Sequence, residues 1–157
     1  MRDKFLAAVI FLALWGVRLA AEDVSETYFD FDSPEAAQEW TYFWGRGGGG
    51  GMEFSAEPVK SGKGSGKLSY AFSKAEDYFV LVCTRPLPDG VQSIKLQVYG
   101  DNSGQVLSCR IIDRTGETFL YPLSSGIDWT GWKEFEINVG APDKCWSGNG
   151  DKKIDNP

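Results

Sequence analysis

Ser93–Tyr99 reads SIKLQVY. Ile94, Leu96 and Val98 alternate with Lys95, Gln97 and Tyr99, the period-2 pattern of a strand with one face toward a core. KEFEINV, from Lys133 to Val139, repeats it with Phe135, Ile137 and Val139 on the apolar side. Outward from these two runs the same grammar continues. TYFDF, WTYFW, MEFSAE, KLSYAF, YFVLVC, QVLSCRIID and ETFLY are short strand-like runs. In KLSYAF the large residues Leu68, Tyr70 and Phe72 share a face, and YFVLVC is apolar on both faces, which suits a central strand. PDG, GDNSG and DRTG between them carry turn residues. One helical turn is predicted at SPEAAQEW, with Ser33 as cap and Pro34 in first position. Many short strands with almost no helical period predict an all-β fold, an antiparallel β-sandwich.

The chain has 157 residues, enough for one domain. It opens with MRDKFLAAVIFLALWGVRLAAED: Arg2 and Lys4 precede an apolar run from Phe5 to Val17, and small residues follow before Glu22. That is the layout of a secretory signal peptide, and the run is short for a membrane span of about 20 residues. The expected organisation is a leader over 1–21, cut after Ala21, and a sandwich over 22–157. The expected location is the periplasm, the cell surface or the medium, with no membrane attachment once the leader is gone. Cleavage removes Arg2, Lys4 and Arg18 together with Asp3, so the net charge of −6 becomes −8. Such a chain repels phosphate backbones, and nucleic acid is not an expected partner.

The chain contains no histidine, which excludes Ser-His-Asp and Cys-His catalysis within it and histidine-ligated zinc. No pair of carboxylates stands apart by its spacing as an acid–base couple, so no catalytic residue is assigned. Cys83, Cys109 and Cys145 cannot all pair, and Cys83 and Cys109 lie in apolar runs where a thiol serves as a small buried hydrophobe. SGKGSGKLSY imitates a phosphate-binding loop, but Ser61 stands where the first glycine belongs and Leu68 where the final Ser or Thr belongs. It reads as a hairpin or loop. The glycine run Gly47–Gly51 reads as a flexible loop.

Several stretches together resemble a known family. YFDFDSPEAAQEW, VKSGKGSGKLSYAF, IKLQVYGDNSGQVLSCRIIDRTGETF and IDWTGWKEFEINV are similar to motifs of jelly-roll carbohydrate-binding modules of the galactose-binding-like superfamily. These are attached to bacterial extracellular glycosidases and cell-surface proteins. The resemblance covers about Tyr28 to Pro157 and implies a non-catalytic domain that binds a glycan or packs beside a catalytic domain. Fold alone does not establish function. The alternatives are an amino-terminal accessory piece of a glycoside hydrolase, and a cell-envelope structural or interaction protein. Family members continue past a motif such as Asp155–Pro157 into one more strand. The resemblance therefore implies a domain lacking its last strand, with an open sheet edge prone to self-association. It also implies a structural calcium ion at Asp32, with Asp30 beside it and backbone oxygens from 60–64.

Flat exposed aromatics stack on pyranose faces, which makes Trp44, Tyr99, Trp146 and Tyr42 candidates for glycan contact, with Arg110 as a polar partner. Asp101 and Asn102 could add polar contacts or form a solvated turn. Trp40, Tyr42 and Trp44 share a strand face that is either a stacking platform or core. Trp129 and Trp132 in GIDWTGW are read as structural, an aromatic latch where a loop meets the sandwich. An unbroken pleat puts Trp132 with Glu134 and Glu136, whereas a turn at Gly131 could fold it over the core edge.

Overall fold

The computed structural model describes the backbone of 6–19 and 22–155, with side chains from Glu26 onward. The described chain is nearly all β, with antiparallel sheets packed as a sandwich. Its strands are β1 (Leu6–Leu19), β2 (Glu22–Glu26), β3 (Trp40–Gly45), β4 (Gly49–Ser55), β5 (Ser65–Phe72), β6 (Tyr78–Cys83), β7 (Val91–Asp101), β8 (Leu107–Ile112), β9 (Glu117–Ser124), β10 (Thr130–Asn138) and β11 (Lys144–Ser147). A large sheet runs β10-β7-β1-β5-β4, with β2 added on β1; β11-β9-β8 and β3-β6 form two smaller sheets.

The alternation in SIKLQVY places the core. Ile94, Leu96 and Val98 are buried, and β10 sets Ile137 opposite Ile94 and Phe135 opposite Leu96. Opposite residues in an antiparallel pair share a face, so these pairs form one apolar surface. One buried cluster joins Phe29, Phe31, Leu68, Tyr70, Leu96, Val98 and Ile127 and gathers Trp40, Phe79 and Leu81 from the β3-β6 sheet. A second joins Val91, Ile94 and Ile137 to Ile111, Phe119 and Tyr121 of the β8-β9 sheet. Tyr121 Oη donates to the Val139 carbonyl at 2.6 Å, tying the two sheets together at that end.

Several local readings change in three dimensions. TYFDF forms no extended ladder, although its alternation is real: Phe29 and Phe31 are buried while Asp30 is exposed. The helical turn is a 3-10 helix, Pro34–Glu39, with proline in its first turn; Ser33 is extended but makes no capping bond to the backbone. YFVLVC pairs only with β3 among the described residues and is half-buried, so it is not a central strand. Its double-sided apolarity serves the core on one face and a partly covered exterior on the other.

Gly49, Gly50 and Gly51 are not loop but the start of β4, opposite Ala71, Tyr70 and Ser69. A Cβ at Gly50 would collide with the Ser69 carbonyl and stand 3.0 Å from the Phe79 ring. The missing side chains are what let the two layers approach. Cys145 lies in β11, a strand absent from the sequence reading, and Val139 ends the pattern only because a short turn intervenes.

The apolar run expected to be the leader forms β1, between β5 and β7 and antiparallel to both. The expected cut after Ala21 lies outside the described residues, as does Pro157. Among the described residues, no helix is long and apolar enough to cross a membrane.

Candidate functional site

The open end of the sandwich lies along β3. Opposite β6, Trp40 faces Cys83, Tyr42 faces Leu81 and Trp44 faces Phe79, so all six share the core-side face. Trp40 is enclosed at one end, edge-on to Phe29 at 5.0 Å and stacked near Phe31 at 6.5 Å. Along the same face cover runs out: Tyr42 is 43 % exposed and Trp44 49 %. The facing wall is the glycine start of β4, where a Cβ at Gly51 would stand 3.6 Å from Tyr42 Oη. Glycine there brings no side chain to fill the space, and the aromatics stay uncovered.

The rings form a graded stack. Tyr70, in the core, lies 6.4 Å from Phe79; Phe79 lies 5.7 Å from Tyr42; Tyr42 lies 6.1 Å from Trp44. All three steps are near parallel, at 21–25°. Burial raises the Tyr70 hydroxyl to a pKa of about 12, opposed by its contact with Ser103. The stack is thus anchored in a dry core and ends in water. Phe43 and Tyr78, also exposed, lie on the opposite face of the same small sheet.

Asp77 fastens the turn below this end. Its Oδ2 accepts from Ser73 N at 2.7 Å, Ser73 Oγ at 2.9 Å and Lys74 N at 2.9 Å. Burial pushes its pKa up, but those donors and the Lys74 charge outweigh it and hold the carboxyl below its ordinary range. Sequence reading missed Phe79, Tyr78 and Asp77. The first two sit in a run whose uniform apolarity hid their different exposures, and Asp77 resembled any loop acid.

The remaining candidates lie on other sheets. Trp146 and Arg110 meet across β9, with the guanidinium 5.5 Å from the indole centre, a cation–π contact on an exposed face. Tyr99 stands opposite Trp132 in the β7-β10 ladder, edge-on at 5.5 Å, on the face shared with Glu134 and Glu136. It also borders an open hollow lined by 56–59. The candidates therefore meet as Tyr42 with Trp44, Arg110 with Trp146, and Tyr99 with Trp132, on three different sheets.

The two tryptophans of GIDWTGW part company. Trp132 takes the outer face, as an unbroken pleat requires. Trp129 packs against the core and lies 5.6 Å from Phe135, with the Lys133 ammonium 4.4 Å above its ring. Gly100 lies beneath it, and a Cβ there would strike the indole. Ile127, fully buried, anchors the same loop: its N–H donates to the Gln105 carbonyl at 2.8 Å, and Asn102 N donates to the Trp129 carbonyl at 2.9 Å. Asp101 Oδ1 accepts from Ser103 N at 3.0 Å, so Asp101 and Asn102 organise a turn.

Asp32 lies against the 60–64 loop, accepting from Lys63 N at 2.8 Å, and Asp30 Oδ1 accepts from Asp32 N at 3.4 Å. That juxtaposition provides one carboxylate and a loop. Among the described residues, no three cysteine, aspartate or glutamate side chains gather as a metal ligand set. Cys83, Cys109 and Cys145 are free and half-buried; burial raises the Cys109 thiol to a pKa of about 11.

Comparison of the chain with known protein families, with curated proteins and with solved structures finds no match.

Proposed function

We propose that this chain is an exported, non-catalytic carbohydrate-binding domain of jelly-roll type, similar to modules of the galactose-binding-like superfamily. The observation that carries the reading is the Tyr42–Trp44 stack, half exposed over a glycine wall. A pyranose ring presents a flat patch of C–H groups that packs on such rings, and the polar edges of the sugar remain in water. The stack is supported from the core through Phe79 and Tyr70, so it loses little freedom on binding. Tyr99 and the Arg110–Trp146 pair, on the other two sheets, are secondary points of glycan contact separate from this stack. A calcium ion at Asp32 would brace the 60–64 loop through that carboxylate and backbone oxygens, without entering the binding face.

A glycan array probed with the exported chain tests the proposal. Binding to one glycan class is expected, with at least tenfold loss of signal in Trp44→Ala at unchanged melting temperature. Equal binding by Trp44→Ala, or no binding to any glycan, would overturn it.

A further inference from the structure

Strand β1 is the only bridge between β5 and β7 among the described residues. On its far side β5 pairs with β4, and β7 with β10. The β1 ladder to β5 runs from Leu6 opposite Phe72 to Leu12 opposite Gly66; the ladder to β7 runs from Phe11 opposite Tyr99 to Leu19 opposite Val91. Removing the leader would withdraw this strand whole. Neighbouring strands lie about 4.8 Å apart, so β5 and β7 would then face each other across roughly 10 Å. The backbone donors and acceptors along both walls would lose their partners, and such groups do not stay unpaired inside a sheet.

The walls also define what fits. Leu68 and Tyr70 on β5 and Leu96 and Val98 on β7 are buried on the core face. Opposite them in register stand Ile10, Ala8, Leu14 and Leu12. Opposite residues share a face, so the slot calls for apolar residues at four alternate positions. The outer-face positions opposite Ser69 and Lys67 carry no such demand.

We propose that the gap between β5 and β7 is a strand-acceptor site in the exported chain. Its ligand is an extended apolar segment of a partner polypeptide, antiparallel to both walls. Binding adds a strand by backbone hydrogen bonds, with alternate side chains completing the core. The inference rests on leader removal and is independent of glycan binding.

The test uses the exported chain, whose amino-terminal sequence is read first. A start near Glu22 is expected; an intact start would mean that the chain fills the slot itself, which overturns both leader removal and the acceptor site. The probe is a synthetic peptide, LAAVIFLALWGVRL, flanked by lysines for solubility. Hydrogen exchange is followed at the amides of β5 and β7. The peptide is expected to slow exchange at least tenfold on both strands and to raise the melting temperature. The same peptide carrying Ile10→Asp and Leu12→Asp should do neither. Three results would overturn the proposal: no protection by the peptide; equal protection by the Asp variant; or protection already present in a dimer that the peptide does not dissociate. Loss of glycan binding in any of these samples bears on the function proposed above and leaves the acceptor site standing.

Discussion

Two tryptophans mark opposite fates for the same side chain. Trp129 sits where a loop crosses the core edge, with Gly100 beneath, Phe135 beside and Lys133 above. Trp44 sits at the end of β3, stacked on Tyr42 and half exposed. In both places glycine supplies the room, at Gly100 and at Gly50–Gly51. At Gly100 the room is filled by the indole; at Gly50 it is taken by the β5 backbone and the Phe79 ring, and at Gly51 by the tip of Tyr42, whose ring is still 43 % exposed. A glycine facing an aromatic thus indicates close approach and does not say whether the result is core or binding surface. What separates them is the covering loop: residues 126–129 are pinned to 102–105 by backbone bonds through Ile127 and Asn102.

That contrast breaks most readily at Trp129. Trp129→Ala should cost about 3 kcal/mol of stability, the low end for truncating a core aromatic because the ring is only partly buried. Chemical denaturation reads this directly, and a cost within experimental error would place Trp129 among the surface aromatics. Next, Gly100→Ala should cost about 2 kcal/mol by driving the indole from its seat. The double variant with Trp129→Ala should lose less than the two single costs combined, since the clash with the indole is gone and only that with the carbonyl oxygen of residue 129, 2.6 Å from the added Cβ, remains.

A third effect is read through pH at the Asp113 turn, and Asp77, depressed in the same direction, adds to the same acid limb from the other end. Asp113 is buried, and its Oδ1 accepts from Thr115 N, Thr115 Oγ1 and Glu117 N at 2.8–2.9 Å. Its Oδ2 accepts from Asp155 N at 3.2 Å. Burial raises its pKa, but the Thr115 hydroxyl and the three backbone donors outweigh this and hold it below the ordinary range. A depressed carboxyl stabilises the fold above its unfolded pKa of about 4, and that contribution fades as pH falls through the folded value. Denaturation midpoints should therefore drop below about pH 4, and Asp113→Asn should flatten that limb while lowering the plateau at neutral pH. Exchange protection around Asp155 should fall with it.

The smallest stability effect is expected at Trp44. Trp44→Ala should change stability by about 0.5 kcal/mol or less, the range of surface positions. A cost as large as that of Trp129→Ala would show that the stack is core and not a binding face.

Some of this was legible residue by residue. The inward positions of β7 and β10 follow from alternation, because a pleat sends successive side chains to opposite faces whatever the strand pairs with. Trp132 on the face of Glu134 follows from the same rule. The tail after Val139 was not legible. Its residues look solvated, yet β11 pairs with β9, Ile154 packs on the second cluster, and Asn149 and Asp155 are held at the Asp113 turn. Apart from the Asn149–Asp155 bond, six residues long, these contacts join residues distant along the chain.

Composition and period-2 patterning are local properties, and they were enough for the β class, the faces of the strongest strands and the absence of histidine chemistry. Which strands are neighbours, that Gly49–Gly51 begin an edge strand, that β6 pairs with β3 alone among the described residues, and that Trp129 is enclosed while Trp44 is exposed all came from long-range packing. Burial is a property of what lies opposite, and the neighbour that covers or uncovers a side chain is set by backbone pairing across tens of residues. No window along the chain contains both partners of such a pair.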